Sequence, residues 1–251
     1  MNLHIETLGS GRDLVLLHGW GMHGGVWNPV KNLLAQHFRV HIVDMPGFGY
    51  SAMPAAFSLP TLVEEIAQQV PEKITLCGWS LGGQVALQWA LQRPEQLQQL
   101  VLVSTTPKFV NAPDWSFGIE QNVFDEFGKG IQSDYQPAMT RFLTLQAQGG
   151  DAARDTVREL KQHFFQRPAP LAAALAGGLA LLQKNDLRGD IENIKTPTLI
   201  LHGERDRIAP VAAGRWLAEE MGTQLHVQVK ASHAPFLSHP AWFSDALIEH
   251  L

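Results

Sequence analysis

A serine between two glycines is the first group in the chain with an obvious chemical use. Residues 78–82 read Gly-Trp-Ser-Leu-Gly and match the motif G-x-S-x-G. They follow a predicted strand at residues 74–77 and precede a predicted helix at residues 81–92, which is the context in which this motif forms a sharp turn. Such a turn lifts the Ser80 hydroxyl clear of the backbone, while the first helical amides point at the same space. The pattern therefore predicts that Ser80 is a nucleophile.

A serine hydroxyl attacks at neutral pH only if a base accepts its proton, and the base needs a carboxylate to orient it. Asp206 follows a predicted strand at residues 198–201, and His233 follows another at residues 226–229. Because the carboxyl ends of parallel strands meet at one edge of a sheet, we expect both loops to lie beside Ser80. The chain order serine, acid, histidine is the order that accompanies G-x-S-x-G. We therefore predict a triad of Ser80, His233 and Asp206.

Other acidic and imidazole groups compete for these roles. Glu204 is the alternative acid, and we interpret it as a solvated loop carboxylate because Asp206 stands at the usual position of the acid. The chain has 11 histidines, most of which we expect to be structural. His239 precedes a proline and is typical of a helix start, whereas His41 and His226 lie within predicted strands.

A glycine-rich loop near the start of the chain is the candidate oxyanion site. Residues 18–21 read His-Gly-Trp-Gly and directly follow a predicted strand at residues 14–17. Glycines let backbone amides approach a ligand closely, and a tetrahedral intermediate needs such donors for its oxyanion. We assign the two donors to the amides of Trp20 and Leu81, the latter being the residue after the nucleophile. The Trp20 indole either forms the floor of an acyl pocket or is a buried core side chain.

Short apolar runs separated by helical patterns must position these groups. The runs lie at residues 14–17, 40–43, 74–77, 100–103 and 198–201, and helical patterns cover residues 59–70 and 81–92. Such runs, alternating with helices, predict an α/β fold in which a mostly parallel sheet carries helices on both faces. Residues 108–190 favour helices and lack a convincing strand. We therefore predict one discontinuous core domain, residues 1–107 and 191–251, interrupted by a helical lid insertion at residues 108–190.

The composition excludes several classes of protein. The chain has 251 residues, is 45% hydrophobic and 17% charged, and so has enough apolar content for a sizeable core. A formal net charge of −5 excludes a globally basic nucleic-acid binder. The single cysteine and the absence of a signal-peptide pattern favour a cytoplasmic protein. The longest lipid-like stretch, residues 171–182, is shorter than the roughly 20 residues of a membrane span.

Several segments together give the chain a resemblance to a known family. Four segments spread over the whole chain resemble the α/β-hydrolase superfamily. They are the glycine-rich residues 18–21 and 78–82, residues 231–236 (Ala-Ser-His-Ala-Pro-Phe) and residues 44–51 (Asp-Met-Pro-Gly-Phe-Gly-Tyr-Ser). The Gly-Trp-Ser form of the turn, together with residues 141–146 (Arg-Phe-Leu-Thr-Leu-Gln) and 177–179 (Gly-Gly-Leu), is similar to a narrower group. That group is the BioH family of pimeloyl-[acyl-carrier protein] methyl ester esterases in biotin synthesis.

The resemblance implies hydrolysis of the methyl ester that caps pimeloyl-acyl carrier protein. The triad would act through an acyl-enzyme, without a metal or organic cofactor. The implied partner is the acyl carrier protein that holds the ester, with no part for nucleic acid or a membrane, and we expect a monomer. The substrate-binding residues implied by the resemblance are Trp20, Ser80, Leu81, Phe142, Leu143, Thr144, Leu145, Gln146 and His233.

The predicted insertion carries a basic face that suits an acidic carrier protein and its phosphate. Arg154, Arg158 and Lys161 fall at i, i+4 and i+7 of a helical pattern, and Arg141 could join them from the preceding helix. Acidic residues interleaved with them leave open an ordinary solvated helix face. Pro137 stands where the family has a further arginine, so the carrier-protein contact could be weaker or rearranged.

Two other functions stay open. The same triad serves broad-specificity short-chain carboxylesterases of unrelated pathways, and also related lyases and perhydrolases. Some members of the superfamily are ligand receptors that retain the triad but turn over slowly. Steady hydrolysis of the carrier-bound ester would distinguish the esterase hypothesis from both.

Overall fold

Seven strands form one sheet in the computed structural model, which describes residues 2–251, with residue 132 described by its backbone alone. The strands are β1 (Ile5–Gly9), β2 (Arg12–Leu17), β3 (Phe38–Val43), β4 (Ile74–Trp79), β5 (Leu97–Val103), β6 (Thr198–Gly203) and β7 (Gln224–Gln228). Their order is β1-β3-β2-β4-β5-β6-β7, and only the β1–β3 pairing is antiparallel within the described chain. The predicted α/β fold with a mostly parallel sheet is confirmed.

The central strands are largely apolar because both faces of the sheet are covered. All six residues of β4 are buried, and successive strand side chains point to opposite faces. The five predicted strands are all present, each longer than predicted by two or three residues at one end, and β7 overlaps the strand predicted at residues 226–229. The edge strand β1 was not predicted from the sequence. It has no buried residue, so it lacks the continuous apolar signal.

Helices fill the connections between the strands. They are α1 (Asn28–Leu34), α2 (Leu59–Ala67), α3 (Leu81–Gln92), α4 (Gln121–Ser133), α5 (Tyr135–Ala147), α6 (Ala153–Phe164), α7 (Ala172–Lys184), α8 (Val211–Met221), α9 (Pro235–Ser238) and α10 (Pro240–His250). The helix predicted at residues 81–92 coincides with α3. The helix predicted at residues 59–70 is α2, which begins where the Ser58 side chain accepts a hydrogen bond from Thr61 N and ends at Ala67.

Four consecutive helices, α4 to α7, lie between β5 and β6 and are called the insertion below (residues 121–184). Among the described residues from 108 to 190 there is no strand, only isolated bridges near residues 110–119. This agrees with the helical character predicted for the region, and we retain the boundaries 108 and 190 as a proposal. Across residues 2–251, no helix is both long enough and apolar enough to span a membrane.

A buried ion pair fastens the insertion to the sheet domain. Arg167, between α6 and α7, donates from Nη1 to Asp44 Oδ2 in the loop after β3. The Asp44 side chain is fully buried and also accepts from the backbone amides of Gly24 (2.7 Å) and Tyr50 (2.9 Å). Beside it, His23 Nε2 lies 2.7 Å from the carbonyl oxygen of His163 at the end of α6. The last turn of α6 is therefore anchored to two loops of the core.

The buried pair predicts a stability cost that an exposed pair does not share. Replacing Arg167 by Met leaves the Asp44 charge buried with only its two amide donors, so we expect the free energy of unfolding to fall by about 3 kcal/mol. Arg158, whose side chain is 70% exposed and pairs with Asp155 at 2.8 Å, is the matched control. Arg158→Met should change stability by less than about 1 kcal/mol. Denaturant titration of both variants measures this, and equal losses would contradict the assignment.

Candidate active site

The segment at residues 78–82 forms the sharp turn that the motif predicts. Ser80 joins β4 directly to α3 with φ of 56°, a left-handed value that is rare for a residue with a side chain. The glycines on either side are required by close backbone approach. A Cβ at Gly78 would lie 2.2 Å from the carbonyl oxygen of Gly82, and one at Gly82 would lie 2.6 Å from that of Leu17. The strained turn is held by hydrogen bonds from Ser80 N to Val103 O (3.0 Å) and from Thr105 Oγ1 to Ser80 O (2.7 Å).

The structure brings the three predicted triad residues into one hydrogen-bonded chain. His233 Nε2 lies 3.0 Å from Ser80 Oγ, and His233 Nδ1 lies 2.8 Å from Asp206 Oδ2. All three residues are buried. Asp206 is in the loop after β6 and His233 in the loop after β7, as the parallel arrangement predicts. This geometry suits proton transfer from the serine to an imidazole whose tautomer a carboxylate fixes.

Asp206 is held as a carboxylate by its surroundings. Its Oδ1 accepts from the amides of Ile208 (2.8 Å) and Ala209 (2.9 Å). Burial by itself would raise the pKa of Asp206, but the charge of His233 and hydrogen bonds from His202 and His233 hold that pKa well below its usual range. His202 Nε2 lies 3.4 Å from Asp206 Oδ2 and 2.7 Å from Ala209 O. The sequence reasoning missed His202, since a histidine at the end of a strand carries no pattern of its own.

The competing groups lie in different surroundings. Glu204 is exposed, and its side chain makes no hydrogen bond or ion pair with any described residue. His41 lies 3.0 Å from Thr7 Oγ1 and 2.6 Å from an Asp13 carboxylate oxygen on the sheet edge. His239 immediately precedes α10, where a helix start was predicted. None of these residues lines the cavity above Ser80.

The proposed oxyanion donors flank the serine and have no other use in the fold. Neither Trp20 N nor Leu81 N has an acceptor among residues 2–251. The Trp20 loop packs directly on the nucleophile, since a Cβ at Gly19 would lie 3.1 Å from Ser80 Cβ. His18 fixes this loop, with Nδ1 2.8 Å from Gly19 O and Nε2 accepting from Met45 N at 2.9 Å. Burial lowers the pKa of His18 to about 4, so the ring is neutral and can accept that bond.

A cavity of about 700 Å³ opens above Ser80 between the core and the insertion. Most of its walls are apolar, and Arg141, Arg207, Glu126 and Gln148 supply charged and polar groups. Its apolar lining consists chiefly of Trp20, Phe109, Ile119, Val123, Phe124, Phe127, Phe142, Leu145, Leu179, Leu182 and Ile208. The Trp20 indole both lines this cavity and is buried. Its ring centroid lies 5.1 Å from that of Phe142, and its Nε1 donates to Leu175 O at 3.0 Å.

The lid residues predicted to touch substrate occupy different faces of α5. Phe142 and Leu145 line the cavity. Leu143 and Gln146 are buried on the core side and do not line it, while Thr144 is exposed and donates to Thr140 O at 2.8 Å. Both polar atoms of the Gln146 side chain are buried without a hydrogen-bond partner among the described residues. Substrate contact stays a prediction for all five residues.

The predicted basic face lies on α6 and at the cavity. Arg154 and Arg158 are exposed on α6, and Lys161 is half-buried on the same helix. Arg141 lies on α5, where it lines the cavity, so it stands near the acyl site as well as the insertion surface. Pro137 is exposed on the first turn of α5. The opposite side of α6 buries Leu160 and Phe164.

Comparison with known proteins adds family information to this geometry. A family model described as the alpha/beta hydrolase fold matches residues 14–240. The chain is 42% identical over 251 residues to a pimeloyl-[acyl-carrier protein] methyl ester esterase of Nitrosospira multiformis, covering 97% of this chain and 95% of that protein. It is 44% identical over 253 residues to one from Aeromonas hydrophila, covering 100% and 99%.

Solved structures show the same fold at lower identity. An esterase from Exiguobacterium antarcticum superposes with a TM-score of 0.90 at 24% identity, covering 98% of this chain and 94% of that one. A bromoperoxidase from Bacillus anthracis gives a TM-score of 0.89 at 22% identity, covering 99% and 94%. Such different activities on one architecture mean that the fold alone does not identify a substrate.

The two acidic residues of the β6 loop give a direct test of the triad. We expect Asp206→Ala to lower kcat by about 10⁴-fold, because His233 then loses both its orientation and the charge that stabilises its cation. Glu204→Ala is the matched control and should leave kcat within about twofold, since its exposed carboxylate lies outside the site. Steady-state hydrolysis of a nitrophenyl ester measures both. A larger loss in the Glu204 variant would require the acid to be reassigned.

Proposed function

The chain belongs to the pimeloyl-[acyl-carrier protein] methyl ester esterase family of α/β-hydrolases, and we propose that it hydrolyses the methyl ester of pimeloyl-acyl carrier protein. The products are pimeloyl-acyl carrier protein and methanol, in the synthesis of biotin. The observation that supports this proposal best is the Ser80–His233–Asp206 chain at the base of a mostly apolar cavity. An acyl chain of several methylenes gains free energy from burial against such walls.

The first half of the proposed reaction forms an acyl-enzyme. His233 Nε2 accepts the Ser80 proton as Oγ attacks the ester carbonyl carbon. The amides of Trp20 and Leu81 donate hydrogen bonds to the oxyanion of the tetrahedral intermediate. The intermediate collapses with cleavage of the bond to the methoxy oxygen, which takes the proton from His233 and leaves as methanol.

The second half releases the acid and restores the enzyme. His233 accepts a proton from a water molecule, whose oxygen attacks the Ser80 ester, and the same amides again stabilise the oxyanion. Collapse of the second intermediate returns the proton to Ser80 Oγ and frees the carboxylic acid. Asp206 remains ionised throughout, since its low pKa favours stabilising the His233 cation over accepting a proton. These steps need only groups of the chain and one water.

Contact with the carrier protein is proposed for the basic residues of the insertion. Arg154 and Arg158 are exposed on α6, and an arginine fork is suited to carboxylates and to the phosphate of the carrier's prosthetic arm. Lys161 and Arg141 extend this basic surface, and Arg141 also reaches the cavity through which the arm would enter. We further propose that the enzyme works as a monomer in the cytoplasm.

The proposed activity is tested by methanol release from the carrier-bound ester. The wild-type chain should release methanol and pimeloyl-acyl carrier protein continuously, whereas Ser80→Ala should lower kcat at least about 10⁴-fold. A fluorophosphonate probe should label the wild type and not the variant. Complementation of a biotin-requiring strain that lacks the esterase is the cellular control. Rapid turnover of nitrophenyl esters without release from the carrier-bound ester would indicate a general carboxylesterase, and a single burst without turnover would indicate a receptor.

Charge reversal tests the carrier-protein contact separately from the chemistry. We expect Arg154→Glu with Arg158→Glu to raise KM for the carrier-bound ester by about tenfold, because like charges then face an acidic partner. KM and kcat for a free short ester should stay within about twofold, since exposed residues of α6 lie outside the triad. Equal changes with both substrates would count against the proposed surface.

A further inference from the structure

The connection between α5 and α6 lies directly on the two loops that carry the acid and the base. We call residues 146–151 the docking segment; it contains the Gly149-Gly150 pair that interrupts the helical pattern of the insertion. Gln148 of this segment lines the cavity, and the other residues that line it lie outside the segment. The segment also contacts the loops of Asp206 and His233, and these contacts take no part in the proposed steps of the reaction.

Three hydrogen bonds join the docking segment to the loop of the base. His233 N itself donates to Gln146 O at 3.0 Å. The buried Ser232 side chain donates from Oγ to Gln148 O at 3.0 Å, and Asp151 N donates to Lys230 O at 3.1 Å. The peptide of the base is thus bonded to the last turn of a lid helix.

The same segment also reaches the loop of the acid. Arg205, the residue before Asp206, donates from Nη1 to Gly149 O at 2.9 Å. Ser232 Oγ lies 3.3 Å from Arg205 O, so one hydroxyl contacts both the segment and the acid loop. Gly150 also contacts the base loop, since a Cβ there would be in van der Waals contact with it, 3.5 Å from Lys230 O and from Ser232 N.

The His233 peptide is held from the core side by a second group. Trp79 Nε1, on the strand that leads into the nucleophile, donates to His233 O at 2.8 Å. The amide of His233 thus bonds to the insertion, while its carbonyl bonds to the residue before Ser80. The position of the imidazole, 3.0 Å from Ser80 Oγ, depends on the orientation of this peptide. A rotation of the peptide would move the attached ring away from the hydroxyl.

We propose that the docking segment is a positioning element for the catalytic base, so that the triad reaches its working geometry only while the α5–α6 connection is seated on the core. This rests on the proposed role of His233. The insertion then does more than cover the substrate, because its seated position and the alignment of the base are one structural state. Ser232 is a positioning residue that joins the segment to the two loops and does not touch the reacting atoms.

Removal of the Ser232 hydroxyl is the smallest change that tests the positioning role. We expect Ser232→Ala to lower kcat for a short nitrophenyl ester about fivefold, as the loss of one buried hydrogen bond from a positioned base allows. KM should stay within about twofold, and the melting temperature within about 3 °C, because the cavity and core are unchanged. Fluorophosphonate labelling of Ser80 should slow in parallel. The matched control is Ser244→Ala, whose hydroxyl is also buried but lies on α10 and makes no hydrogen bond with a described residue.

Displacing the segment sterically gives a stronger test. Gly150→Val adds two methyl groups where the Cβ already contacts the base loop, so kcat should fall about 10- to 100-fold with KM less affected. Gly189→Val is the control, since nothing lies within 4 Å of its Cβ position. Circular dichroism establishes that each variant is folded before its kinetics are compared.

The outcomes separate this proposal from the proposed function. Unchanged kcat in Ser232→Ala, an equal fall in Ser244→Ala, or a fall that appears only near the melting temperature would overturn the positioning role. The short ester does not require a carrier protein, so an error in the natural substrate leaves the test intact. Retention of ester hydrolysis by Ser80→Ala would instead remove the triad assignment on which the proposal rests.

Discussion

The parallel registration of β2, β4, β5, β6 and β7 is the constraint on which the whole site depends. Backbone hydrogen bonds align these strands in one direction, so the loops that leave their carboxyl ends emerge at a single edge. Ser80 follows β4, Asp206 follows β6 and His233 follows β7. Ser80 and His233 are 153 positions apart in sequence, yet Oγ and Nε2 lie at 3.0 Å. The hydrogen-bonded parallel strands bring the two loops together, and the local turns then determine which atoms face each other.

Burial gives the aligned groups their chemical properties. Asp206 would be unfavourable as an isolated buried carboxylate, and two backbone amides and two histidines around it favour the ionised form. His18 shows the opposite effect, because burial keeps its ring neutral and able to accept the amide of Met45. Similar burial thus produces an anion in one loop and an uncharged ring in another, according to the donors that each loop presents.

The sequence predicted those parts of the fold whose signal lies in side-chain type and local spacing. The buried strands, α3, the turn at Ser80 and the loop positions of Asp206 and His233 all follow from apolar runs and glycine placement. The edge strand β1 was not predicted, because its half-buried and exposed residues show no continuous apolar run. Arg167 and Asp44 are 123 positions apart, and although Asp44 begins one of the family segments, no sequence pattern pairs it with Arg167. The bond from His233 N to Gln146 O uses two main-chain groups, which every residue except proline possesses, so side-chain identity could not reveal it.

Helix α6 is anchored at both ends. Asp151 N is bonded to Lys230 O just before the helix, and the His23 ring contacts His163 O in its last turn, with Arg167 and Asp44 beyond. A partner seated on Arg154 and Arg158 would therefore stand at a constant distance from Ser80. If the proposed carrier-protein contact forms there, the helix would act as a molecular ruler. Discrimination between esters would then come from the combined length of prosthetic arm and acyl chain, since the two together would have to span that distance.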